Sequence, residues 1–173
     1  MDYNQRIVFM GTPEIAANVL QALIENEYNI VGVIAQPDKP IGRKKILEPV
    51  PTKKVALKHG IPVFQPYKIK LDYEFLKELK PDLIITLAYG QIVPQGVLDI
   101  PPLGCINLHG SLLPKYRGSA PIQWAVIDGE TVTGITTMMT DVGLDTGDIL
   151  LQRELLMDPD ETAGELYVRM SHL

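Results

Sequence analysis

The stretch INLHGSLLPKYRG, residues 106–118, carries Asn107 and His109 two residues apart in an apolar run that opens into a loop at Gly110. If the run is a strand, its period of two puts both polar side chains on one face, at the strand's end. Asn107 offers a neutral donor and His109 a titratable one. A second polar cluster follows in DVGLDTGD, residues 141–148, where Asp141, Asp145 or Asp148 could orient and charge the histidine. A histidine bonded to its neighbours for structure alone is the plain alternative. Two polar residues on one face beside a Gly-Ser loop, in place of apolar filler, favour a ligand site, and in an open parallel sheet ligands bind at the carboxyl ends of the strands.

Other chemistries lack their partners. FMGTPE has only Gly11 where a phosphate-cradling turn needs G-x-G-x-x-G, and no Walker lysine follows, so that glycine is expected to serve strand-to-helix packing. Ser111 has His109 and Leu113 where a nucleophile elbow requires glycines. His59, His109, His172 and Cys105 show no zinc-ligand spacing, and a calcium loop counted from Asp141 meets Gly143, Thr146 and Gln152 at the wrong places. No metal is expected.

The elements that must position these residues read as an α/β protein. RIVFMG (6–11) is a strand, and Thr12-Pro13-Glu14 suits an N-cap, a first-turn proline and an acid at the start of a helix with Ile15, Val19, Leu20, Leu23 and Ile24 on its apolar face. IVGVIA (30–35) is a second strand, giving a parallel strand-helix-strand unit. The proline-rich, basic 36–51 reads as a loop, followed by a helix around Thr52–Lys58 ending at Gly60 and a weak strand at 62–64. A helix over Asp72–Lys80 precedes PDLIITLAYG (81–90), whose continuous apolar stretch suits a central parallel strand, and CINLHG is the next strand. Residues 120–130 are helical, while 133–140 and 148–155 form a pair, antiparallel because no helix fits between them. Thr162-Ala163-Gly164-Glu165 fits a capping box, yet the helix it starts meets no C-cap signal before Leu173, so residues 1–173 are expected to belong to a longer protein.

At 173 residues and 46% hydrophobic, the chain suits one domain with a real core. No run reaches the apolar length of a membrane span, and MDYNQRIVFMG lacks a secretory pattern, so a cytoplasmic protein is expected. The lone Cys105 reads as a small core residue. The net charge of -5 opposes nonspecific nucleic-acid binding, but residues 36–54 hold six basic residues (Lys39, Arg43, Lys44, Lys45, Lys53, Lys54) against Asp38 and Glu48, a local +4 on a body of -9. Such a segment can steer a polyanion.

The runs GCINLHGSLLPKYRGSAPIQWAVIDGE and TGITTMMTDVGLDTGDIL, with FMGTPEIAA, VIAQPDKPIGRKK and LAYGQIVP, closely resemble the folate-dependent formyltransferases, over essentially all 173 residues. The resemblance implies a Rossmann-like formyltransferase fold without dinucleotide binding, mostly parallel with helices on both faces and an antiparallel pair late in the chain. It implies direct attack of an amine on the formyl carbon of 10-formyltetrahydrofolate, the amine being that of methionine esterified to initiator tRNA. Asn107, His109 and Asp145 match the family's catalytic residues: two oxyanion donors, and a carboxylate that favours the imidazolium and helps manage the amine's proton. It further places Ser111, Leu112, Leu113 and Pro114 against the folate, and the main chain of Ala88, Tyr89, Gly90, Gln91 and Ile92 and of Asp141, Val142 and Gly143, on to Asp145, around the pterin. The basic loop corresponds to a tRNA-contacting insertion, with Arg43 foremost and Lys44 and Lys45 attracting phosphate. A monomer is implied, with residues 1–173 as the catalytic domain and the family's barrel-like C-terminal domain absent. Sugar-nucleotide N-formyltransferases share HGSLLPKYRG but resemble the chain less in QPDKPIGRKK and DVGLDTGD. Glycinamide ribonucleotide formyltransferases share the triad, and a non-catalytic folate- or tRNA-binding fragment is the alternative from another class.

Overall fold

The computed structural model describes residues 4–41 and 45–173, which divide into two compact units meeting in sequence at Cys105 and Ile106. The first unit is built from β1 (Ile7–Gly11), α1 (Glu14–Glu25), β2 (Ile30–Ile34), β3 (Lys39–Ile41), β4 (Ile46–Glu48), α2 (Pro51–Lys58), β5 (Val63–Phe64), α3 (Glu74–Leu79), β6 (Leu83–Leu87) and α4 (Gln95–Leu98). Four of its strands form a sheet in the order β5-β2-β1-β6, every pairing parallel. Its apolar runs are buried as their continuity predicts: β1 lies entirely inside, and Val8, Met10, Ile34, Leu76, Ile84 and Val97 are fully buried in one cluster. Each such side chain contributes roughly 1.5–3 kcal/mol by leaving water.

The chain moves from β1 through β2 to β5, then returns to lay β6 on the other side of β1, with Gly11 opposite Leu87. This reversal of strand order is the switch point at which open α/β sheets bind ligands. Gly11 serves packing, as expected: a Cβ there would stand 2.7 Å from the Ala16 side chain and 2.8 Å from the Leu87 carbonyl oxygen. Thr12, expected to cap α1, does not; Pro13 occupies that position without a side-chain bond. The Thr12 hydroxyl instead donates to the Tyr89 carbonyl (3.0 Å) and accepts the Gln36 N–H (3.2 Å), so it joins loops at the switch point.

The segment read as a loop contains the antiparallel β3–β4 hairpin, in which Lys39 faces Glu48 and Ile41 faces Ile46. α4 was not foreseen, because QGVL is a single turn with no room for a helical period to show.

The second unit holds β7 (Cys105–His109) from Ile106 onward, α5 (Pro121–Ile127), β8 (Val132–Met139), β9 (Ile149–Leu156) and α6 (Ala163–Met170). β8 pairs antiparallel with β9, as expected, and β7 pairs antiparallel with β8 as well. The capping box of α6 is complete: Thr162 Oγ1 accepts from Glu165 N–H (3.3 Å) and the Glu165 carboxylate accepts the Thr162 N–H (2.8 Å). α5 packs on α6, burying Ile122, Ala125, Leu166 and Met170. The class is therefore α/β with a mostly parallel arrangement and an antiparallel set late in the chain.

Candidate active site

β7 carries Asn107 and His109 two residues apart, and the cross-strand register sets Asn107 opposite Met138 and His109 opposite Thr136. His109 is 7% exposed, and both its ring nitrogens face protein groups. Nε2 lies 2.7 Å from the carbonyl oxygen of Tyr116; a carbonyl only accepts, so Nε2 carries a hydrogen. Nδ1 lies 3.6 Å from Asp145 Oδ2, within ion-pair range but longer than a hydrogen bond. Of the three acids left open by the sequence, Asp145 is therefore the one whose carboxylate faces the histidine. Donation from Nε2 to a substrate oxygen would require the N–H to exchange the Tyr116 carbonyl for it, a tightening of the kind that bound substrate can bring about.

Asp145 is held by its own backbone and by a neighbour. It sits in the left-handed region (φ 52°), and its Oδ2 accepts the Gly118 N–H at 2.7 Å. Asp141, by contrast, closes its own loop: its carboxylate accepts from Gly143 N–H (3.0 Å) and Thr146 Oγ1 (2.9 Å). Gly147 has no room for a side chain, since a Cβ would collide with the Met139 carbonyl. Asp141, Val142 and Gly143 are exposed.

The SLLP loop is fixed by two strand residues to which the sequence alone assigns no role at the site. Thr136, fully buried, donates from Oγ1 to the Ser111 carbonyl (2.7 Å) and accepts the Leu113 N–H (3.1 Å). Gln152 Nε2 donates to the Leu113 carbonyl and to Thr136 Oγ1, both at 2.9 Å. His109, Thr136 and Gln152 occupy one row across β7, β8 and β9, and that shared row was the available signal. Ser111 is buried with its hydroxyl on the Lys115 carbonyl (2.6 Å), and Leu113 is buried too, so Leu112 and Pro114 are the loop's more open side chains. A concavity of about 330 Å³ is lined by Leu112, Lys115, Tyr116, Glu130, Val132, Thr133 and Glu154; none of Asn107, His109 and Asp145 borders it.

In the first unit, residues 88–92 follow β6 at the switch point. Ala88 (φ 47°) and Gly90 (φ 90°) turn the chain, Tyr89 is buried, and Ile92 is 84% exposed. The Gln91 side chain accepts the Ile69 N–H (2.8 Å) and donates to the Tyr67 carbonyl (3.2 Å), so it is structural.

Of the basic candidates, Lys45 is exposed beside β4, while Arg43 and Lys44 lie outside the described residues. The acids of the segment are already engaged: Asp38 with Lys53 (2.5 Å) and Glu48 with Lys54 (3.3 Å). The local +4 thus belongs to Lys39, Arg43, Lys44 and Lys45, which fall within residues 39–45 of the sequence. Burial pushes the Asp38 carboxyl up, but hydrogen bonds from Lys53, Gln65 and Val50 outweigh it and hold the group below its ordinary value.

Among the described residues no group of His, Cys, Asp and Glu could hold a metal ion, and no helix is long and apolar enough to cross a membrane.

The fold and the N-x-H strand define a class: a family model described as formyl transferase matches residues 5–173, and the chain belongs to that family. More particularly, methionyl-tRNA formyltransferase of Ruminiclostridium cellulolyticum is 60% identical over 170 residues, 97% of this chain and 54% of its own length. That of Acetivibrio thermocellus is 57% identical over 171 residues, 97% and 55% of the two lengths. The chain thus spans about half the length of these relatives. Among solved structures, phosphoribosylglycinamide formyltransferase from Bacillus halodurans superposes with a TM-score of 0.80 at 21% identity, covering 97% of this chain and 88% of its own, a likeness of fold. A sugar 3N-formyl transferase, crystallised in the presence of dTDP and 5-N-formyl-THF, gives 0.72 at 27% identity, covering 97% and 58%.

Proposed function

We propose that residues 1–173 form the catalytic domain of an enzyme that moves the formyl group of 10-formyltetrahydrofolate to the amino group of methionine on initiator tRNA, in the cytoplasm. The observation that carries the reading is His109, buried at the end of β7 with Asp145 facing Nδ1, in a chain that also presents a basic hairpin. The high identity to relatives named for methionyl-tRNA supports the choice of substrate.

In this reading the amine nitrogen attacks the formyl carbon, the bond from that carbon to the folate nitrogen breaks, and the proton lost by the amine ends on that nitrogen. Asn107 donates to the oxygen as charge develops on it, and His109 supplies a second hydrogen bond when the oxygen displaces the Tyr116 carbonyl. Asp145 orients the imidazole and balances its charge. Leu112 and Pro114 wall the folate, with Ser111 and Leu113 fixing the loop from within. The main chain of 141–143 meets the pterin, and Arg43, Lys44 and Lys45 meet the tRNA backbone.

An assay offering methionyl-tRNA, an amino sugar nucleotide and glycinamide ribonucleotide side by side with 10-formyltetrahydrofolate tests the reading. Transfer to the tRNA substrate is expected; transfer to a small substrate alone would overturn it.

A further inference from the structure

The base of the basic hairpin holds a half-buried polar cluster that the proposed chemistry does not use. Lys53 Nζ donates to Asp38 Oδ2 (2.5 Å) and to Gln65 Oε1 (2.8 Å), with the Lys53 and Asp38 side chains only 22% and 16% exposed. Gln65 Nε2 donates in turn to Asp38 Oδ1 (2.8 Å) and to the Gln36 carbonyl (2.9 Å). Asp38 Oδ1 also accepts the Val50 N–H at 3.3 Å. Asp38 directly precedes β3 and Val50 follows β4 by two residues, so one carboxylate joins both ends of the hairpin. The cluster continues inward, because Gln36 Nε2 donates to the Tyr89 carbonyl at 3.2 Å.

A lysine beside a basic, nucleic-acid-facing segment would ordinarily be counted as a phosphate contact. Here its ammonium is already held by a carboxylate and an amide, and charge arithmetic assigns the segment's excess to the hairpin instead. We infer that Asp38, Lys53 and Gln65 are positioning residues that clamp the hairpin in the conformation that engages tRNA, Lys53 acting inside the protein and not on a phosphate. The inference rests on the tRNA reading above.

Electrostatics and clamping predict opposite signs for one substitution. Asp38→Ala removes a negative charge next to the hairpin, so a purely electrostatic role predicts tighter tRNA binding. The clamp predicts binding weaker by about tenfold, the cost of losing a charge-assisted hydrogen bond or two. Asp38→Asn, which keeps the shape, is expected to fall between. Lys45→Ala should lower the slope of log affinity against log salt by about one, while Lys53→Ala weakens binding with the slope unchanged. Tighter binding by Asp38→Ala, or a reduced slope for Lys53→Ala, would overturn the proposal. Amide exchange over residues 46–50 without tRNA reads the clamp separately: acceleration in Asp38→Ala is expected, and unchanged exchange overturns the clamp alone. Failure of the unsubstituted protein to bind tRNA would instead overturn the tRNA reading on which the hairpin's role depends.

Discussion

The loop after β7 and the hairpin between β3 and β4 are both fixed at their bases by side chains, but with different materials. Behind SLLP, Thr136 and Gln152 form a neutral network in which hydroxyl and amide meet backbone groups, with Thr136 fully buried. Under the hairpin, an ion pair and a glutamine do the holding, and their side chains keep some contact with water. A neutral buried network is indifferent to salt and to acid, whereas a partly exposed ion pair responds to both. Under the proposed function the difference suits their neighbours: one network would support a wall beside His109, where small displacements would cost rate, and the other a surface offered to a polyanion.

The largest expected effect breaks the first region at its reacting end. His109→Ala should reduce single-turnover formyl transfer on the order of a hundredfold to a thousandfold, as loss of one oxyanion donor does, while folate binding by calorimetry is largely retained. Equal turnover in the variant would return His109 to a structural role. Next, Thr136→Val keeps the volume but strands the Ser111 carbonyl and the Leu113 N–H and takes one of two acceptors from the Gln152 amide. A loss of about 2 kcal/mol in urea unfolding is expected, and a change within experimental error would mean that water replaces the hydroxyl. The smallest effect distinguishes the two regions by pH. The folded Asp38 carboxyl lies below its unfolded value, near 3.8, so its contribution is fully present above that value and is lost as pH falls through the folded one. Backbone resonances of Val50 and Gln65 should therefore shift on acidification below about pH 4 while those around Thr136 hold; movement of both together would erase the contrast.

Much of the fold was legible because burial and periodicity agree. RIVFMG and LIITL are continuous apolar runs that became adjacent parallel strands, and the capping box at Thr162 started a helix as written. The misreadings arose where a polar side chain served a distant partner. Thr12 had the chemistry of an N-cap, but the Tyr89 carbonyl, 77 residues away, claims its hydroxyl. The hairpin was hidden because Pro40 and a run of basic residues argue against strand; its ends are joined by Asp38, which only tertiary structure brings to Val50. At the site, the spacing of Asn107 and His109 was readable, and the histidine's preference for Asp145 over Asp141 and Asp148 entered through family resemblance. The Tyr116 carbonyl on Nε2 was not readable at all, since a backbone acceptor leaves no trace in residue type.

Gly11 bears on what the chain can tolerate. Its missing side chain sets the separation of β1, α1 and β6 at once, with the Ala16 methyl on one side and the Leu87 carbonyl on another. The carbonyl belongs to a strand end and cannot retreat as a flexible side chain would. One added methyl would push apart the corner from which the loops at Thr12 and Tyr89 depart, so the position admits a single amino acid, and the permitted variation at this corner is set by distance and not by chemistry.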